Sequence, residues 1–432
     1  MSHALLPYQQ EGVAFLRSRQ HALLADDPGL GKTAQVLKAL DPSAPVLVVC
    51  PRVAKGVWRS ELNKWRPGVF RVYVPPTKAK FRLPQPGEVV IVTYDSVPLL
   101  SEIGGTNRGT ILVADEAHMV KTGSNKRCNA FRSVCVSVTE QQGKIWMLTG
   151  TPMPNSPDEL WRILSYTTMA KTAYGDAKRF LRIFNGKQVQ GAYGLKLVWG
   201  RPTKEAREGF NKVALRRRRD DVLPELPKKF YKTVECSLST DVTKMCDTLA
   251  EAMYRLGLDW EQLVDMAWGS KDYFGDLHLS EVRNALAVSK IPTLIEVVEE
   301  AEQQKTPTVV FSAHRAPVEA LRGREGWDVI TGETSAAQRS AIVEQFQQGK
   351  LFGVAATIKA AGVALTLTRS HNCVFVDRDW TPANNLQAEG RLQRIGQKSN
   401  ILVTNLVCDH ALDIHVTETL MRKQAIIEEV ME

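Results

Sequence analysis

An eight-residue segment, Asp26–Thr33, reads Asp-Asp-Pro-Gly-Leu-Gly-Lys-Thr and limits the folds that are open to this chain. An apolar run, His21–Ala25, precedes the segment, and a helical pattern, Ala34–Leu40, follows it. A strand, a glycine-containing loop, Lys-Thr and a helix together form the geometry that holds a nucleotide polyphosphate. The segment therefore predicts an α/β fold that contains a phosphate-binding loop.

The polar positions of this loop have expected roles in such a site. Backbone N–H groups around Gly29 and Gly31, together with the helix N-terminus, face the phosphates. Lys32 supplies a positive charge, and the Thr33 hydroxyl is suited to hold magnesium. The strict pattern has glycine where Asp26 stands, so a Gly-Lys-Thr sequence in an ordinary surface turn is the alternative interpretation.

Near-continuous apolar runs recur in both halves of the chain and predict strands that are buried on both faces of parallel sheets. The runs are Val46–Cys50, Val89–Thr93, Thr110–Ala114, Lys144–Leu148, Thr308–Ser312, Val329–Thr331, Phe352–Ala355, Cys373–Val376 and Ile401–Val407. Helical patterns lie between the later runs, at Ser335–Gln348 and Ala383–Arg394. We therefore predict an α/β fold class with two units, each a parallel sheet flanked by helices.

These patterns divide the chain into two domains with a connection between them. The expected bounds are 1–218 for the first domain, with a helical insertion near 158–215, and 234–432 for the second, with a helical insertion near 237–304. The connection, 219–233, begins in a basic segment, Arg216–Arg219, and contains Pro224 and Pro227, which interrupt helices. From Leu412 onward the pattern predicts one amphipathic helix.

The composition narrows the class of protein further. An apolar fraction of 44% and a charged fraction of 24% are typical of a soluble, well-packed protein. No stretch approaches the ~20 apolar residues that span a bilayer, so we expect no membrane partner. The seven cysteines include no Cys-x-x-Cys pair and the N-terminus has no secretory pattern, which favours an intracellular, reducing compartment. A net charge of +9 suits a polyanionic partner.

A second candidate element, Asp115-Glu-Ala-His118, follows the apolar run that ends at Ala114. A magnesium-nucleotide site needs two carboxylates at such a position. Asp115 can hold the metal's water shell opposite Thr33, and Glu116 can act as the general base for the attacking water. An exposed acidic turn after a strand is the alternative interpretation.

Two further elements carry polar groups at strand ends or on helices. Leu148–Pro152 reads Leu-Thr-Gly-Thr-Pro after an apolar run, and His118 either bonds to this loop or caps its own strand. Farther along, Arg391 and Arg394 are three residues apart, which predicts one shared helix face. Guanidinium groups delivered from another domain stabilise a phosphoryl transition state, whereas a solvated basic helix face is the alternative interpretation.

Taken in order, these elements resemble the Swi/Snf family of superfamily-two helicase-like ATPases, over nearly the whole chain. The matching segments are Leu6–Leu16, Asp26–Thr33, Val49–Arg52 with Trp58 and Trp65, Val92–Tyr94, Asp115–His118, Leu148–Pro152, Val310–Ser312, Ile330–Ser335, Thr357–Leu367, Asp379–Pro382 and Gln387–Gln397. Arg217–Pro227 resembles the family's inter-lobe segment. The phosphate loop resembles most the branch that contains the annealing helicases.

The resemblance implies two RecA-like lobes with ATP and magnesium between them. It implies that Gln9 contacts the adenine and that Gln387 contributes to nucleotide binding. Lobe one would supply Lys32, Thr33, Asp115 and Glu116, and lobe two would supply Arg391 and Arg394, so that hydrolysis requires closure. This chain departs from the family pattern at Asp27, Pro28, Gln393 and Ala361–Thr366, which leaves the hydrolytic residues in place.

The resemblance also implies that duplex or branched DNA binds across both lobes, mainly through its phosphates. The candidate contacts are Arg52, Lys55, Thr93, Tyr94, Thr151, His314, Thr357, Lys359 and Trp380. Trp380 is equally suited to packing. The basic segment could contact DNA, lock the lobes together or lie in solvent as part of a linker.

The expected function is ATP hydrolysis stimulated by DNA, which drives translocation along duplex DNA and remodelling, branch migration or strand annealing. Two alternatives are a strand-separating DNA or RNA helicase and a non-catalytic DNA-binding module with an inactive nucleotide site. We expect a monomeric motor located wherever DNA is, with recruitment by a protein partner left open.

Overall fold

The computed structural model describes residues 4–52, 54–99, 104–121, 125–154, 156–191, 194–223, 225–255, 273–274, 277–361, 365–394, 396–411, 413–414, 417–418 and 420. The amphipathic helix that is predicted from Leu412 lies largely outside these residues. So do parts of the predicted helical insertion near 237–304 and of the segment Ala361–Thr366.

The described residues form two compact units, one that precedes Glu225 and one that begins there. The division falls inside the predicted connection 219–233, whose exact bounds stay a prediction. Within that connection, residues from Lys229 onward already belong to a strand of the second unit, Lys229–Cys236.

The first unit is organised around a seven-stranded sheet and a separate two-stranded hairpin. In chain order the strands are β1 (His21–Leu24), β2 (Val46–Cys50), β3 (Arg71–Tyr73), β4 (Glu88–Thr93), β5 (Ile111–Asp115), β6 (Lys144–Leu148), β7 (Lys187–Gly191), β8 (Gly194–Val198) and β9 (Ala214–Leu215). The large sheet has the order β3-β4-β2-β5-β6-β1-β9, and all of its neighbouring strands are parallel. β7 and β8 form the antiparallel hairpin, which lies inside the region predicted to be helical.

Nine helices of the first unit lie among the described residues. They are α1 (Pro7–Arg17), α2 (Lys32–Ala39), α3 (Ala54–Trp65), α4 (Lys126–Glu140), α5 (Pro157–Leu164), α6 (Met169–Tyr174), α7 (Ala177–Ile183), α8 (Lys204–Val213) and α9 (Arg219–Val222). Short 3₁₀ turns occur at Lys78–Lys80, Tyr94–Ser96 and Ala117–Val120. The last two turns follow β4 and β5 directly, so they place polar residues at the carboxyl edge of the sheet.

The second unit contains a six-stranded parallel sheet. Its strands and those of a short hairpin are β10 (Lys229–Cys236), β11 (Tyr273–Phe274), β12 (Leu277–His278), β13 (Thr308–Ser312), β14 (Trp327–Ile330), β15 (Gly353–Thr357), β16 (Asn372–Phe375) and β17 (Ile401–Cys408). The order in the sheet is β10-β17-β16-β13-β15-β14, and β11 pairs with β12. The helices described in this unit are α10 (Thr240–Arg255), α11 (Leu279–Ser289), α12 (Ile291–Gln303), α13 (Arg315–Glu319), α14 (Ala336–Gln347), α15 (Ile358–Ala361) and α16 (Pro382–Glu389).

Both large sheets are covered on two faces, as the continuous apolar runs predict. In the first sheet Val48 and Ile91 belong to one buried cluster, whereas Leu47 and Val90 belong to a cluster on the opposite face. The second sheet is divided in the same way, with Val310 in one cluster and its neighbours Val309 and Phe311 in another. Alternate residues of a strand point to opposite faces, so a strand buried on both sides must be apolar throughout.

The predicted fold class, two RecA-like α/β lobes with parallel sheets flanked by helices, is therefore confirmed for each unit taken separately. Three of the predicted strands, Val46–Cys50, Lys144–Leu148 and Thr308–Ser312, have the observed bounds. Among the described residues, no helix is both long enough and apolar enough to cross a membrane.

Candidate active site

The loop between β1 and α2 has the backbone conformation of a tight phosphate-binding turn. Gly29 has φ +93° and Gly31 has φ +75°, values that residues with a side chain rarely adopt. A Cβ atom at Gly31 would lie 2.5 Å from Nε2 of Gln9, so a side chain there would displace the Gln9 amide. Gly31 precedes Lys32, the first residue of α2, so Lys32 and Thr33 occupy the first turn of the helix.

Gln9 is buried and bridges helix α1 and the phosphate loop. Its Nε2 donates to the carbonyl oxygen of Leu30 at 3.2 Å, and its Oε1 accepts from the N–H of Leu6 at 3.0 Å. The amide therefore lies beside the loop, and its contact with an adenine base stays a prediction.

The Lys32 ammonium lies within the loop and close to four carboxylates. Its Nζ donates to the backbone carbonyls of Asp26 at 2.6 Å and Asp27 at 3.2 Å. Burial lowers the pKa of Lys32, while the carboxylates of Glu116, Asp26, Asp27 and Asp115 oppose that shift. The structure thus brings together Lys32, Asp115 and Glu116, which the sequence predicts as parts of one site.

Asp115 ends β5 and is oriented by a tryptophan that the sequence analysis did not connect to it. Trp58 of α3 donates from Nε1 to Asp115 Oδ2 at 2.8 Å, and the N–H of Glu116 lies 3.1 Å from Asp115 Oδ1. Burial and the adjacent Glu116 carboxylate raise the pKa of Asp115. A side chain 57 residues away in sequence therefore fixes this carboxylate.

Glu116 follows in the left-handed region, with φ +51°, so the chain turns sharply after β5. His118 Nδ1 lies 3.3 Å from Glu116 Oε2, 3.0 Å from Thr149 Oγ1 and 3.5 Å from Thr151 Oγ1. Burial lowers the pKa of His118 to about 4, so its ring is neutral at pH 7. Of the two interpretations of His118, the structure favours the bond to the Thr-Gly-Thr-Pro loop.

The helix that should carry both arginines of the second unit ends before it reaches them. α16 ends at Glu389, with Gly390 as its C-cap, whereas the sequence predicts a helix through Arg394. The expectation that Arg391 and Arg394 share a face of a regular helix is therefore wrong. The N–H of Leu367 donates to the Arg391 carbonyl at 2.9 Å, and this bond holds the chain in a turn.

The side chains of this turn are packed within the second unit. Arg394 donates from Nε to the Gly390 carbonyl at 3.1 Å and from Nη1 to Thr366 Oγ1 at 3.1 Å. Arg391 is 5% exposed, and Gln387 of α16 is 7% exposed. Both arginines are thus held in defined positions, and neither is a freely solvated surface charge.

The predicted DNA contacts of the first unit follow the carboxyl ends of its strands but differ in exposure. Arg52, after β2, is exposed, and Lys55 is partly exposed with its Nζ 3.4 Å from the Pro75 carbonyl. Thr93 and Thr151 are each 7% exposed. Tyr94 is a core residue with 1% exposure, and its hydroxyl donates to the Asp115 carbonyl at 2.8 Å.

Tyr94 therefore departs from its predicted role. The aromatic ring packs at 5.7 Å from that of Phe131, and its only polar atom is bonded to the acidic turn. A side chain so enclosed holds the backbone of Asp115 through this bond and is not accessible to DNA.

The predicted DNA contacts of the second unit also follow strand ends. Lys359 is exposed and Thr357, at the end of β15, is partly exposed. His314 Nδ1 lies 2.5 Å from Asp377 Oδ2, which leaves Nε2 as its other polar atom. Trp380 packs against the core, and the guanidinium of Arg283 lies 4.0 Å from its ring centre, so the packing interpretation applies to it.

The basic segment contains site residues that the sequence analysis did not assign to the phosphate loop. Arg216, Arg217 and Arg219 all contact the loop within the first unit. One sequence pattern is consistent with this arrangement: the loop contains two adjacent acidic residues, Asp26 and Asp27, and a run of arginines occurs elsewhere in the chain.

No cluster of three or more His, Cys, Asp or Glu side chains suited to a metal ion occurs within the described ranges. The oxygen groups near the loop that the sequence predicts as magnesium ligands are the Thr33 hydroxyl and the Asp115 carboxylate. Hard oxygen ligands in small number are what Mg²⁺ needs from a protein when phosphates and water complete its shell.

Comparisons with known proteins match nearly the entire chain. Residues 8–260 match the model of the SNF2-related domain, and residues 289–396 match the helicase conserved C-terminal domain. A Caenorhabditis elegans homologue of SWI/SNF-related matrix-associated actin-dependent regulator of chromatin subfamily A-like protein 1 is 28% identical, with 99% of this chain and 62% of that protein covered. The human DNA annealing helicase and endonuclease ZRANB3 is 27% identical, with 97% of this chain and 40% of that protein covered.

Among solved structures, the Sulfolobus solfataricus SWI2/SNF2 ATPase core in complex with dsDNA is 22% identical, with a TM-score of 0.46; the match covers 100% of this chain and 93% of that one. The chain spans less than two thirds of the length of the two curated relatives. The SNF2-related match covers more than half of the 432 residues. This protein therefore belongs to the SNF2-related family.

Proposed function

We propose that this protein hydrolyses ATP when it is bound to DNA and uses the energy to move along duplex DNA. The observation that carries the proposal is the convergence of Lys32, Asp115 and Glu116 beside a phosphate loop at the carboxyl edge of one parallel sheet. Family membership and the names of the relatives support the same function.

The first unit has the features that ATP binding requires. Gly31 lets the loop pass close to the Gln9 amide, and its positive φ directs the loop toward the N-terminus of α2. Lys32 would contact the terminal phosphates, and Gln9 would contact the adenine. In such a site the backbone N–H groups and the helix N-terminus bind phosphate oxygens, because both carry partial positive charge.

Thr33 and Asp115 fit a magnesium ion by their chemistry, since both supply oxygen atoms and stand at the same edge of the sheet. When it is bound, magnesium neutralises charge on the phosphate oxygens. The indole of Trp58 would keep the Asp115 carboxylate in a fixed orientation.

Glu116 is the proposed general base. Its carboxylate would accept a proton from water as the water oxygen attacks the terminal phosphorus, and the bond from phosphorus to the leaving diphosphate oxygen breaks. Neutral His118, bonded to Thr149 and 3.3 Å from Glu116 Oε2, would keep the loop that contains Thr149 and Thr151 beside Glu116. A movement of that loop on DNA binding would then reach the catalytic carboxylate.

The second unit would supply Arg391 and Arg394 to the transition state, and Gln387 would assist nucleotide binding. Guanidinium groups stabilise the charge that spreads over the transferred phosphoryl oxygens. Both arginines are held by bonds or burial within the second unit, so closure of the two units would deliver them as preformed groups.

DNA binding is proposed to rest on phosphate contacts, which are independent of sequence and sensitive to salt. The best candidates are the side chains that the structure leaves accessible, Arg52, Lys55, Lys359 and His314. The relatives are named as a chromatin regulator homologue and an annealing helicase, so remodelling, branch migration and strand annealing are the proposed outputs. We propose a monomeric motor.

ATP turnover measured with no nucleic acid, duplex DNA, forked DNA, single-stranded DNA and RNA tests this function. Stimulation by duplex or forked DNA is the expected result. Stimulation by RNA alone would contradict it, and absence of turnover with every partner would favour a non-catalytic module. Lys32→Ala should abolish turnover without a large change in DNA affinity, whereas Lys126→Ala, at an exposed lysine at the start of α4, should behave as the wild type.

A further inference from the structure

The acidic residues of the phosphate loop are bound by arginines from one distant segment. Asp26 is fully buried, although it stands where the strict phosphate-loop pattern has glycine. Arg217 donates from Nε to Asp26 Oδ1 at 2.9 Å and from Nη2 to Asp26 Oδ2 at 2.6 Å. This two-point contact is the strongest geometry for a guanidinium and a carboxylate, and it fixes the orientation of both groups.

Arg217 also joins the two helices that flank the loop. Its Nη2 donates to Gln35 Oε1 of α2 at 2.8 Å, and its Nη1 donates to the backbone carbonyl of Tyr8 in α1. Gln35 in turn donates from Nε2 to Asp26 Oδ2 at 3.0 Å. One guanidinium thus ties together the helix that carries Gln9, the loop and the helix that carries Lys32.

The neighbouring arginines hold the next two residues of the loop. Arg216 lies 3.0 Å from Asp27 Oδ1 and donates to the Gly150 carbonyl at 3.3 Å, which adds the Thr-Gly-Thr-Pro loop to the assembly. The N–H of Arg219 donates to Asp27 Oδ2 at 3.0 Å, and its side chain donates to the Pro28 carbonyl.

The sheet explains why these residues meet although 191 positions separate them. The short strand β9 pairs in parallel with β1, with Ala214 opposite Leu23 and Leu215 opposite Leu24. The loop and the basic segment therefore leave the same edge of the sheet side by side. The pairing continues beyond the strands, since the Asp27 N–H donates to the Arg217 carbonyl at 3.1 Å.

We infer that the basic segment, Arg216–Arg219, is a positioning element for the nucleotide site, with Arg217 as its main residue. Arg217 acts through Asp26 and Gln35 to hold the loop in the form that binds phosphates. The inference rests on the proposed ATP-binding function and deepens it. The acidic start of the loop is, on this account, the counterpart of the basic segment and is not in contact with the nucleotide.

Equilibrium binding of a fluorescent N-methylanthraniloyl ATP analogue to the full chain tests the inference. Arg217→Gln should weaken binding about tenfold or more, which corresponds to ~1.4 kcal/mol. Asp26→Asn should weaken binding comparably, and the double variant should be no weaker than the weaker single variant, because both changes break one pair. Arg207→Gln, an exposed arginine of α8, is the matched control and should bind as the wild type.

The double variant also separates positioning from folding, since it leaves no buried charge without its partner. Its melting temperature should lie above that of Arg217→Gln while its ATP affinity stays low. Recovery of affinity together with stability would overturn the inference, as would additive losses. Unchanged ATP affinity with weaker duplex DNA binding in Arg217→Gln would overturn it too and assign the segment to DNA. If the wild type binds the analogue but no DNA stimulates turnover, the proposed function fails and the inference stands.

Discussion

The turns that follow β1 in the first unit and β13 in the second differ in backbone conformation and in the groups that their polar atoms contact. After β1 the chain forms a loop with Gly29 and Gly31 at positive φ, and Lys32 lies among carboxylates. After β13 the corresponding turn is filled by a carboxylate of the protein, because Asp377 Oδ1 accepts from the Ala313 N–H at 3.1 Å.

Further bonds complete this internal arrangement in the second unit. The Ser312 hydroxyl donates to the same oxygen of Asp377, and His314 Nδ1 lies 2.5 Å from the other. Donors that a phosphate would require are thus satisfied by the protein itself. Two sheets of one design therefore carry different turns, which agrees with the proposal that the first unit binds the nucleotide while the second contributes arginines.

The largest expected effect tests whether the second unit takes part in catalysis. Arg394→Ala should lower DNA-stimulated ATP turnover by about 10³-fold or more, because a guanidinium delivered to a phosphoryl transition state typically supplies that much. Steady-state kinetics with duplex DNA measure it. Arg322→Ala, at an exposed arginine paired with Glu319, is the control. Turnover within threefold of the wild type would show that Arg394 has no catalytic part.

A similar effect is expected from the acidic turn of the first unit. Glu116→Gln should lower turnover by about 10²–10⁴-fold, the usual contribution of a general base, while ATP affinity changes little. Single-turnover hydrolysis measures the chemical step. Glu140→Gln, at an exposed end of α4, should leave it unchanged. Loss of binding without loss of the chemical rate would assign Glu116 to the nucleotide's phosphates instead.

The candidate catalytic residues are the part of the site that can be predicted from the sequence. Loop, acidic turn and arginines follow from local patterns, and each apolar run locates one strand to within one or two residues, whereas β3 and β10 correspond to no predicted run. The Trp58–Asp115 and Arg217–Asp26 bonds could not be predicted, because they depend on how distant strands align. β9 has two residues, too few for a periodic signal.

The errors also have local causes. The pattern of the predicted helix continues past Glu389, but the Gly390 cap and the bond from Leu367 to Arg391 end the helix there. The hairpin of β7 and β8 lies between helical segments and carries no long apolar run. The apolar and aromatic character of Tyr94 is as consistent with a core position as with DNA, and tertiary packing decides between them.

A third effect concerns a buried carboxylate of the second unit and the two cations that pair with it. Glu389 is 2% exposed and lies 2.9 Å from Lys229 Nζ and 3.1 Å from Arg378 Nη1. Burial alone would raise its pKa, but the two cations outweigh burial and hold the pKa below its ordinary value of 4.5. Glu389→Gln should therefore cost about 3 kcal/mol at pH 7.

The stability lost in Glu389→Gln should become smaller as the pH falls. Because the folded-state pKa is lowered, the stabilisation is complete above about pH 4.5 and declines as pH falls through the folded-state value. Urea unfolding from pH 7 to 3 should show the variant and the wild type converging. Glu325→Gln, an exposed glutamate, is the control. If the difference in free energy of unfolding between the variant and the wild type stays constant across this range, the stabilising role of the ionised Glu389 is contradicted.

The smallest expected effect concerns the turn after β13. Asp377→Asn should destabilise the protein by roughly 2 kcal/mol, since an amide nitrogen cannot accept the bonds that the carboxylate accepts. ATP affinity should not change, because the nucleotide site is proposed to lie in the first unit. Unfolding curves and ATP titrations measure the two quantities, with Asp409→Asn, at an exposed position, as control. A loss of ATP affinity without a loss of stability would make the two turns alike in function.

The division of labour between the units is tested most directly by the stoichiometry of nucleotide binding. We would titrate the intact wild type, Lys32→Ala and Arg394→Ala with a fluorescent N-methylanthraniloyl ATP analogue. We expect one site per chain in the wild type, one site of similar affinity in Arg394→Ala, and binding lost or weakened at least tenfold in Lys32→Ala, ~1.4 kcal/mol or more. Two sites per chain, or full binding by Lys32→Ala, would contradict it.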